Sequence, residues 1–224
     1  MNYRLVTFDV FSALANIEGT FIPILARHPQ FVNQDAAAFF RMWRTKQYEY
    51  LIMLNSLQRH FLGFKEVTRR TLVHTLYAHR IDLSEHDQER LVQKWSELEF
   101  WDDARQTVEQ VKEKGYTIAM LSNGGQEMLI SLQNRLGVGF DYIFSAEEMG
   151  CYKPSPTVYQ YAYEQAGVEK EQMLHVAGSA PDIVGAISAG IPSAWSNRLN
   201  ALPIDLSYQP TYHFQRIEEL LAYL

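Results

Sequence analysis

The segment Arg4-Leu5-Val6-Thr7-Phe8-Asp9-Val10 is short, apolar and rich in β-branched and aromatic residues, and it runs into a carboxylate at Asp9. That composition predicts a buried strand, with Asp9 at its carboxyl end. Working outward, the same kind of strand returns only after residue 100. Tyr116–Leu121, Tyr142–Ser145, Met173–Ala177 and Pro192–Trp195 are strand-like. Helical stretches lie between and around them at Asp102–Lys114, Gln126–Leu136, Pro156–Ala166, Pro181–Ala189 and Arg216–Leu224. Gly115 and Gly137 stand where helices need a C-terminal stop. Repeated strand-then-helix units imply an α/β protein, a parallel sheet with helices on both faces. Ligands bind outside the carboxyl ends of such strands. Chemistry is therefore expected at Asp9, at Ser122–Asn123 and around Gly178–Asp182.

The intervening sequence has a different period. Ser12–Thr20 is polar and small. Over Ala36–Leu57 the apolar residues Phe39, Phe40, Trp43, Tyr48, Leu51, Leu54 and Leu57 recur at spacings of three and four, the mark of one helix face. Val67–His79 and His86–Leu98 are helical in the same way. Ser84 is a candidate N-cap, with Asp87 three positions on. With no convincing strand between about 15 and 98, this block is expected to be a helical insertion, leaving residues 1–14 and 99–224 as the core.

Composition excludes several functions. With 47% apolar and 21% charged residues the chain is ordinary globular protein, not a disordered segment. A net charge of −6 argues against nucleic acid, which demands a basic stripe; the clusters Arg41, Arg44, Lys46 and Arg69, Arg70 are too dilute. No apolar run approaches the ~20 residues of a spanning helix, so no membrane partner is expected. The first ten residues lack a leader pattern, and a cytoplasmic address is the default. One cysteine, Cys151, excludes an intrachain disulfide. It lies two residues before Lys153, which would favour its thiolate, but no histidine stands out as its base. The seven histidines show no zinc-ligand spacing.

Four strand-end segments carry the chemistry: Phe8-Asp9-Val10-Phe11-Ser12-Ala13-Leu14, Leu121-Ser122-Asn123-Gly124-Gly125, Tyr152-Lys153-Pro154 continuing to Val158-Tyr159, and Val176-Ala177-Gly178-Ser179-Ala180-Pro181-Asp182. A carboxylate at a strand end, beside a helix start that can hold an anion, suits a nucleophile. A nearby lysine keeps such a carboxylate ionised. Ser122 and Asn123 offer donors, and Asp182 is placed to orient Lys153 or a water.

In this order the four segments resemble the haloacid dehalogenase superfamily, over nearly the whole chain, and most closely its 2-haloacid dehalogenases. Trp43-Arg44-Thr45-Lys46-Gln47-Tyr48-Glu49-Tyr50 is similar to a segment of that subfamily's inserted helical cap domain. The resemblance implies a Rossmann-like core with a cap at 15–98. It also implies an Asp9 nucleophile held charged by Lys153, with Asp182 behind the lysine and Arg44 receiving the halide or orienting the substrate. Val10, Phe11, Ser122, Asn123, Tyr159 and Ser179 would surround a small anionic substrate, with Trp43, Tyr48 and Phe64 as an apolar wall. These enzymes are often dimers through the cap, so a homodimer using Phe39, Phe40 and Trp43 is an expectation.

Phosphatases of the superfamily need an acid two residues after the nucleophile, where this chain has Phe11, and Mg²⁺ held partly by an Asp five residues before Asp182, where it has Ala177. Halide leaves as a stable anion and needs neither. No cofactor is expected, with Mg²⁺ only on the phosphatase alternative. The chain departs from the dehalogenases too. It has Ser12-Ala13 for their Gly-Thr, Ala177 for Ser and Ser179 for Asn. On an extended backbone Ser12 points away from Asp9, so a hydroxyl near the nucleophile is expected to be missing and ester hydrolysis to suffer. The leading reading is metal-independent hydrolysis of a 2-haloalkanoic acid through an aspartyl ester. A hydrolase of another small substrate, phosphate esters included, and a catalytically impaired small-anion binder remain as alternatives.

Overall fold

The computed structural model describes residues 2–57 and 61–224. Six strands form one parallel sheet: β1 (Leu5–Phe8), β2 (Thr117–Ser122), β3 (Tyr142–Ser145), β4 (Met173–Ala177), β5 (Ser193–Ser196) and β6 (Tyr212–Phe214), in the order β3-β2-β1-β4-β5-β6. All four residues of β1 are buried, as a central strand covered on both faces requires. Phe8 lies beside Met120 of β2 and Val176 of β4. The strand order reverses at β1, so the chain emerging at Asp9 enters the crevice where doubly wound sheets bind ligands.

Helices α5 (Ala104–Glu113), α6 (Gln126–Leu136), α7 (Ala146–Met149), α8 (Pro156–Gln165) and α9 (Ala180–Ser188) accompany the strands. One apolar layer joins Val6, Phe8, Val108 and Ile217 on one face of the sheet. Another joins Leu5, Leu121, Tyr159 and Ala186 on the opposite face. α6 ends at Gly137 in the left-handed region, at φ 76°, the cap that a helix stop favours. The last strand, β6, and a 3₁₀ turn at Ile217–Ala222 replace the expected closing helix.

The strandless block is helical, as its period implies: α1 (Ile17–Ala26), α2 (Ala36–Ser56), α3 (Phe64–His79) and α4 (Glu85–Gln93). Asp35 caps α2, its carboxylate accepting from the N–H groups of Ala37 and Ala38 at 2.9 Å each. Ala36, Phe39, Phe40, Trp43, Gln47 and Leu51 form its buried stripe. Tyr48 and Leu54 are half-buried and Leu57 is exposed. Ser84 caps α4 as expected, accepting from the Asp87 N–H at 3.1 Å. Helix α1 is not apparent in the sequence because Gly19 and Pro23 interrupt its pattern.

The aromatic centre of this block corrects one expectation. Phe39, Phe40 and Trp43 are between 0 and 1% exposed; they pack inside the chain's own helices and are not available as a contact between copies. Phe21 stacks on Phe40 at 5.0 Å between ring centres, and Trp43 meets Trp95 edge-on at 5.9 Å. Between this block and the sheet core, the Asn16 N–H donates to Glu99 O at 2.8 Å, and beside it the Trp101 N–H donates to Leu14 O at 2.9 Å within the core. No helix among the described residues is long and apolar enough to cross a membrane.

Candidate active site

After β1 the chain does not stay extended. Val10–Leu14 forms a single π-helical turn, closed by the Ala15 N–H on Val10 O at 2.9 Å. This turn corrects the reading of Ser12. Its N–H donates to Asp9 Oδ2 at 3.0 Å and its hydroxyl to the same oxygen at 2.7 Å. The hydroxyl expected to be missing is supplied from Ser12. Gly178 makes room for the turn, since a Cβ there would overlap the Ser12 carbonyl.

The other carboxylate oxygen faces Lys153. The Lys153 ammonium donates to Asp9 Oδ1 at 2.9 Å, to Leu121 O at 2.9 Å and to Asp182 Oδ2 at 2.6 Å. Its three protons match three acceptors, and the side chain is only 4% exposed. Burial by itself would lower the Lys153 pKa; the Asp182 and Asp9 charges outweigh it and the net shift is upward. Asn123 fixes the lysine's backbone, its Oδ1 accepting from the Lys153 N–H at 2.7 Å.

Asp182 is held from three sides. Besides Lys153, Tyr159 Oη donates to its Oδ1 at 2.6 Å, and His175 Nε2 lies 3.2 Å from the same oxygen. Burial raises its pKa, but Lys153 and His175 more than offset that, and the carboxyl is held well below the usual range. His175 itself is fully buried and its Nδ1 is 2.8 Å from Thr7 Oγ1. Neither Thr7 nor His175 is evident from motif reading. The available signal was a polar residue in each of two otherwise apolar strands, and the two stand side by side in the β1–β4 register.

Opposite the carboxylates lies Arg44. Its guanidinium sits over the rings of Phe11 and Trp95, 5.6 and 5.4 Å from their centres. It donates to Gln47 Oε1; Gln47 Nε2 in turn donates to Thr68 Oγ1 at 2.6 Å. Among the described residues no carboxylate lies within ion-pair distance of Arg44, and burial lowers its pKa against the opposing field of Asp9. Arginine stays charged under such a shift. Phe11 stacks on Phe64 at 4.9 Å, fixing the floor beneath it. A cleft of about 380 Å³, lined in part by Phe11, Ser12, Phe40, Arg44 and Trp101, opens beside this pair.

The fold thus brings Asp9, Lys153, Asp182, Tyr159 and Asn123 together, with Arg44, Phe11 and Phe64 across from them. Tyr48 is half-buried, and its hydroxyl pKa is raised by burial and by the charges of Asp182 and Asp9. Other candidates stand further back. Val10 is fully buried. Trp43 belongs to the helical core and donates to Thr68 O at 3.1 Å. The buried Ser122 turns its oxygen to the Gly124 N–H at 3.1 Å. Ser179 precedes α9 without a side-chain cap bond.

If Ser12 matters through its hydroxyl, Ser12→Ala keeps the backbone N–H bond and loses only the 2.7 Å one. Removing a preorganised donor of this kind costs about 10²-fold in rate. Steady-state turnover of the variant measures this, and an unchanged rate overturns it.

The sequence model of a family described as haloacid dehalogenase-like hydrolase matches residues 3–190. (S)-2-haloacid dehalogenase 1 of Pseudomonas sp. (strain CBS-3) is 30% identical over 216 residues, covering 94% of this chain and 91% of that protein. (S)-2-haloacid dehalogenase 4A of Burkholderia cepacia is 29% identical over 212 residues, covering 94% and 89%. A crystal structure of a dehalogenase with an intermediate complex superposes with a TM-score of 0.92 at 26% identity, covering 100% of this chain and 97% of that one.

Proposed function

The chain belongs to the haloacid dehalogenase-like hydrolases, and from that premise we propose that it hydrolyses small (S)-2-halo acids through an ester on Asp9, without a metal. The observation that carries the reading is what lies opposite the nucleophile. Where an acid would be needed for a poor leaving group there is the Phe11 ring, and over it stands the Arg44 guanidinium, which has no counter-ion among the described residues. That environment accepts an anion and donates no proton to it from position 11, which suits departing halide.

In the first step an Asp9 oxygen forms a bond to C2 of the substrate, and the carbon–halogen bond breaks with its electron pair leaving as halide. Lys153 and Ser12 hold the carboxylate in place; Arg44 takes the halide or the substrate carboxylate. In the second step water adds to the Asp9 carboxyl carbon. The bond from that carbon to the alkyl oxygen breaks, one water proton ends on the 2-hydroxy acid, and the other is released as Asp9 regains its charge. Phe11 and Phe64 keep bulk water from the reacting carbon.

Mg²⁺ does not fit this donor set. The place of a further ligand, five residues before Asp182, is the buried apolar Ala177, and the oxygens of Asp9 and Asp182 that face each other hold the Lys153 ammonium between them. A hard cation there would have to displace it. The division into a core of 1–14 and 99–224 and a helical cap of 15–98 belongs to the same proposal, with the cap supplying Arg44 and Phe64.

Incubation with L-2-chloropropionate in the presence of a chelator tests the reading. Free chloride over many turnovers is the expected result. No chloride and no mass adduct overturns it for this substrate class, and Mg²⁺-dependent turnover of a phosphate ester instead supports the phosphatase alternative.

A further inference from the structure

Asp182 is a buried carboxylate with three side-chain donors, and one of them, His175, has no part in the mechanism above. Neither Ala177, which is apolar, nor Ser179, which makes no side-chain cap bond, adds a donor. The His175 ring is 0% exposed and bridges two groups: Thr7 Oγ1, 2.8 Å from Nδ1, and Asp182 Oδ1, 3.2 Å from Nε2. A carboxylate only accepts, so Nε2 carries the proton. The Thr7 hydroxyl partners Nδ1 at 2.8 Å and holds the ring in the orientation that serves Asp182. The arrangement is built into the sheet, because Thr7 and His175 are register partners on adjacent strands.

We propose that His175, set by Thr7, is a positioning residue that anchors Asp182 for the second half-reaction, the hydrolysis of the Asp9 ester. This rests on the aspartyl-ester reading. Before alkylation Lys153 is held by two anions, Asp9 and Asp182. Once Asp9 is esterified its charge is gone, and Asp182 is the remaining anion that fixes the ammonium. The tetrahedral intermediate then returns negative charge to the Asp9 oxygen, where Lys153 must already stand. An Asp182 released from His175 therefore matters little for alkylation and much for hydrolysis. Tyr159 holds the same Oδ1 at 2.6 Å and limits the loss, so the anchor is shared and not abolished.

The test separates the two steps with L-2-chloropropionate, following chloride by rapid quench and the Asp9 adduct by intact mass. For His175→Phe the first-turnover chloride burst is expected to match the wild type, while steady-state turnover falls by about 10²-fold and the adduct becomes the main species. Thr7→Val, nearly isosteric, leaves Nδ1 without its hydroxyl partner and slows the same step by about tenfold; Thr7→Ser restores it. This pair decides the matter if His175→Phe does not fold. Equal slowing of both steps in these variants is the signature of a merely structural role and overturns the proposal, as does no slowing. A wild type that gives neither chloride nor adduct overturns the ester reading, and this inference with it.

Discussion

Asp9→Asn reduces chloride release by on the order of 10⁴-fold or more and yields no covalent adduct, while the protein stays folded. The reason is chemical. An amide oxygen still accepts from Lys153 at the place of Oδ1, and the Lys153–Asp182 pair at 2.6 Å is untouched. What is lost is the anionic lone pair that attacks carbon. Stability changes modestly, because the new amide N–H₂ faces the Ser12 N–H, which now lacks its acceptor. A second readout fixes where water attacks. After turnover in ¹⁸O-water the peptide containing Asp9 carries the heavy oxygen, since water adds to its carboxyl carbon. Direct displacement of halide by water puts the label only in the product. Activity of Asp9→Asn within tenfold of the wild type sinks the nucleophile assignment.

Lys153→Met removes activity and destabilises the fold by about 3–5 kcal/mol, the usual loss when one partner of a buried ion pair is deleted. Here the deletion leaves two buried carboxylates facing each other, 5% exposed at Asp9 and 4% at Asp182. The pH dependence has a definite sign. In the wild type the folded Asp182 pKa is depressed, so its contribution is present above the unfolded carboxylate range and is lost as pH falls through the folded value. Without the lysine, burial loses its main opponent, the Asp182 pKa rises from its wild-type position, and acidification costs the variant less. The stability gap between variant and wild type is therefore full near neutral pH and narrows on acidification. Urea denaturation across that range measures it; a gap independent of pH rules out the ion-pair explanation.

These expectations depend on two kinds of information. The strands β3 and β4 and the helix α6 have the spans that their sequences indicate, because apolar, β-branched and aromatic runs and amphipathic periods are local signals. The same holds for the Phe39–Trp43–Leu51 stripe, though its residues proved to be internal packing and not a surface. Strand β6, three residues at the edge, has too few apolar positions to announce itself. The π-helical turn at Val10–Leu14 has no repeat that a period could reveal, and missing it reversed the direction of the Ser12 hydroxyl.

The sequence by itself determined the parallel α/β core, the helical block between its first two strands, and the order Asp9, Ser122–Asn123, Lys153, Asp182; Lys153 stands not at a strand end but in the loop between α7 and α8, and Asp182 in the first turn of α9. It also determined that positions 11 and 177 carry no proton donor and no metal ligand. Only the tertiary structure decided which oxygen of Asp9 each partner holds, that Ser12 replaces the absent hydroxyl, and that Arg44 has no counter-ion among the described residues. It alone joined Thr7 and His175 to Asp182. The physical reason is one of range. Periodicity and motif order follow from neighbours along the chain, whereas hydrogen bonds at 2.6–3.2 Å between Asp182, Lys153, Tyr159 and His175 exist only once separate strands and loops have packed against one another.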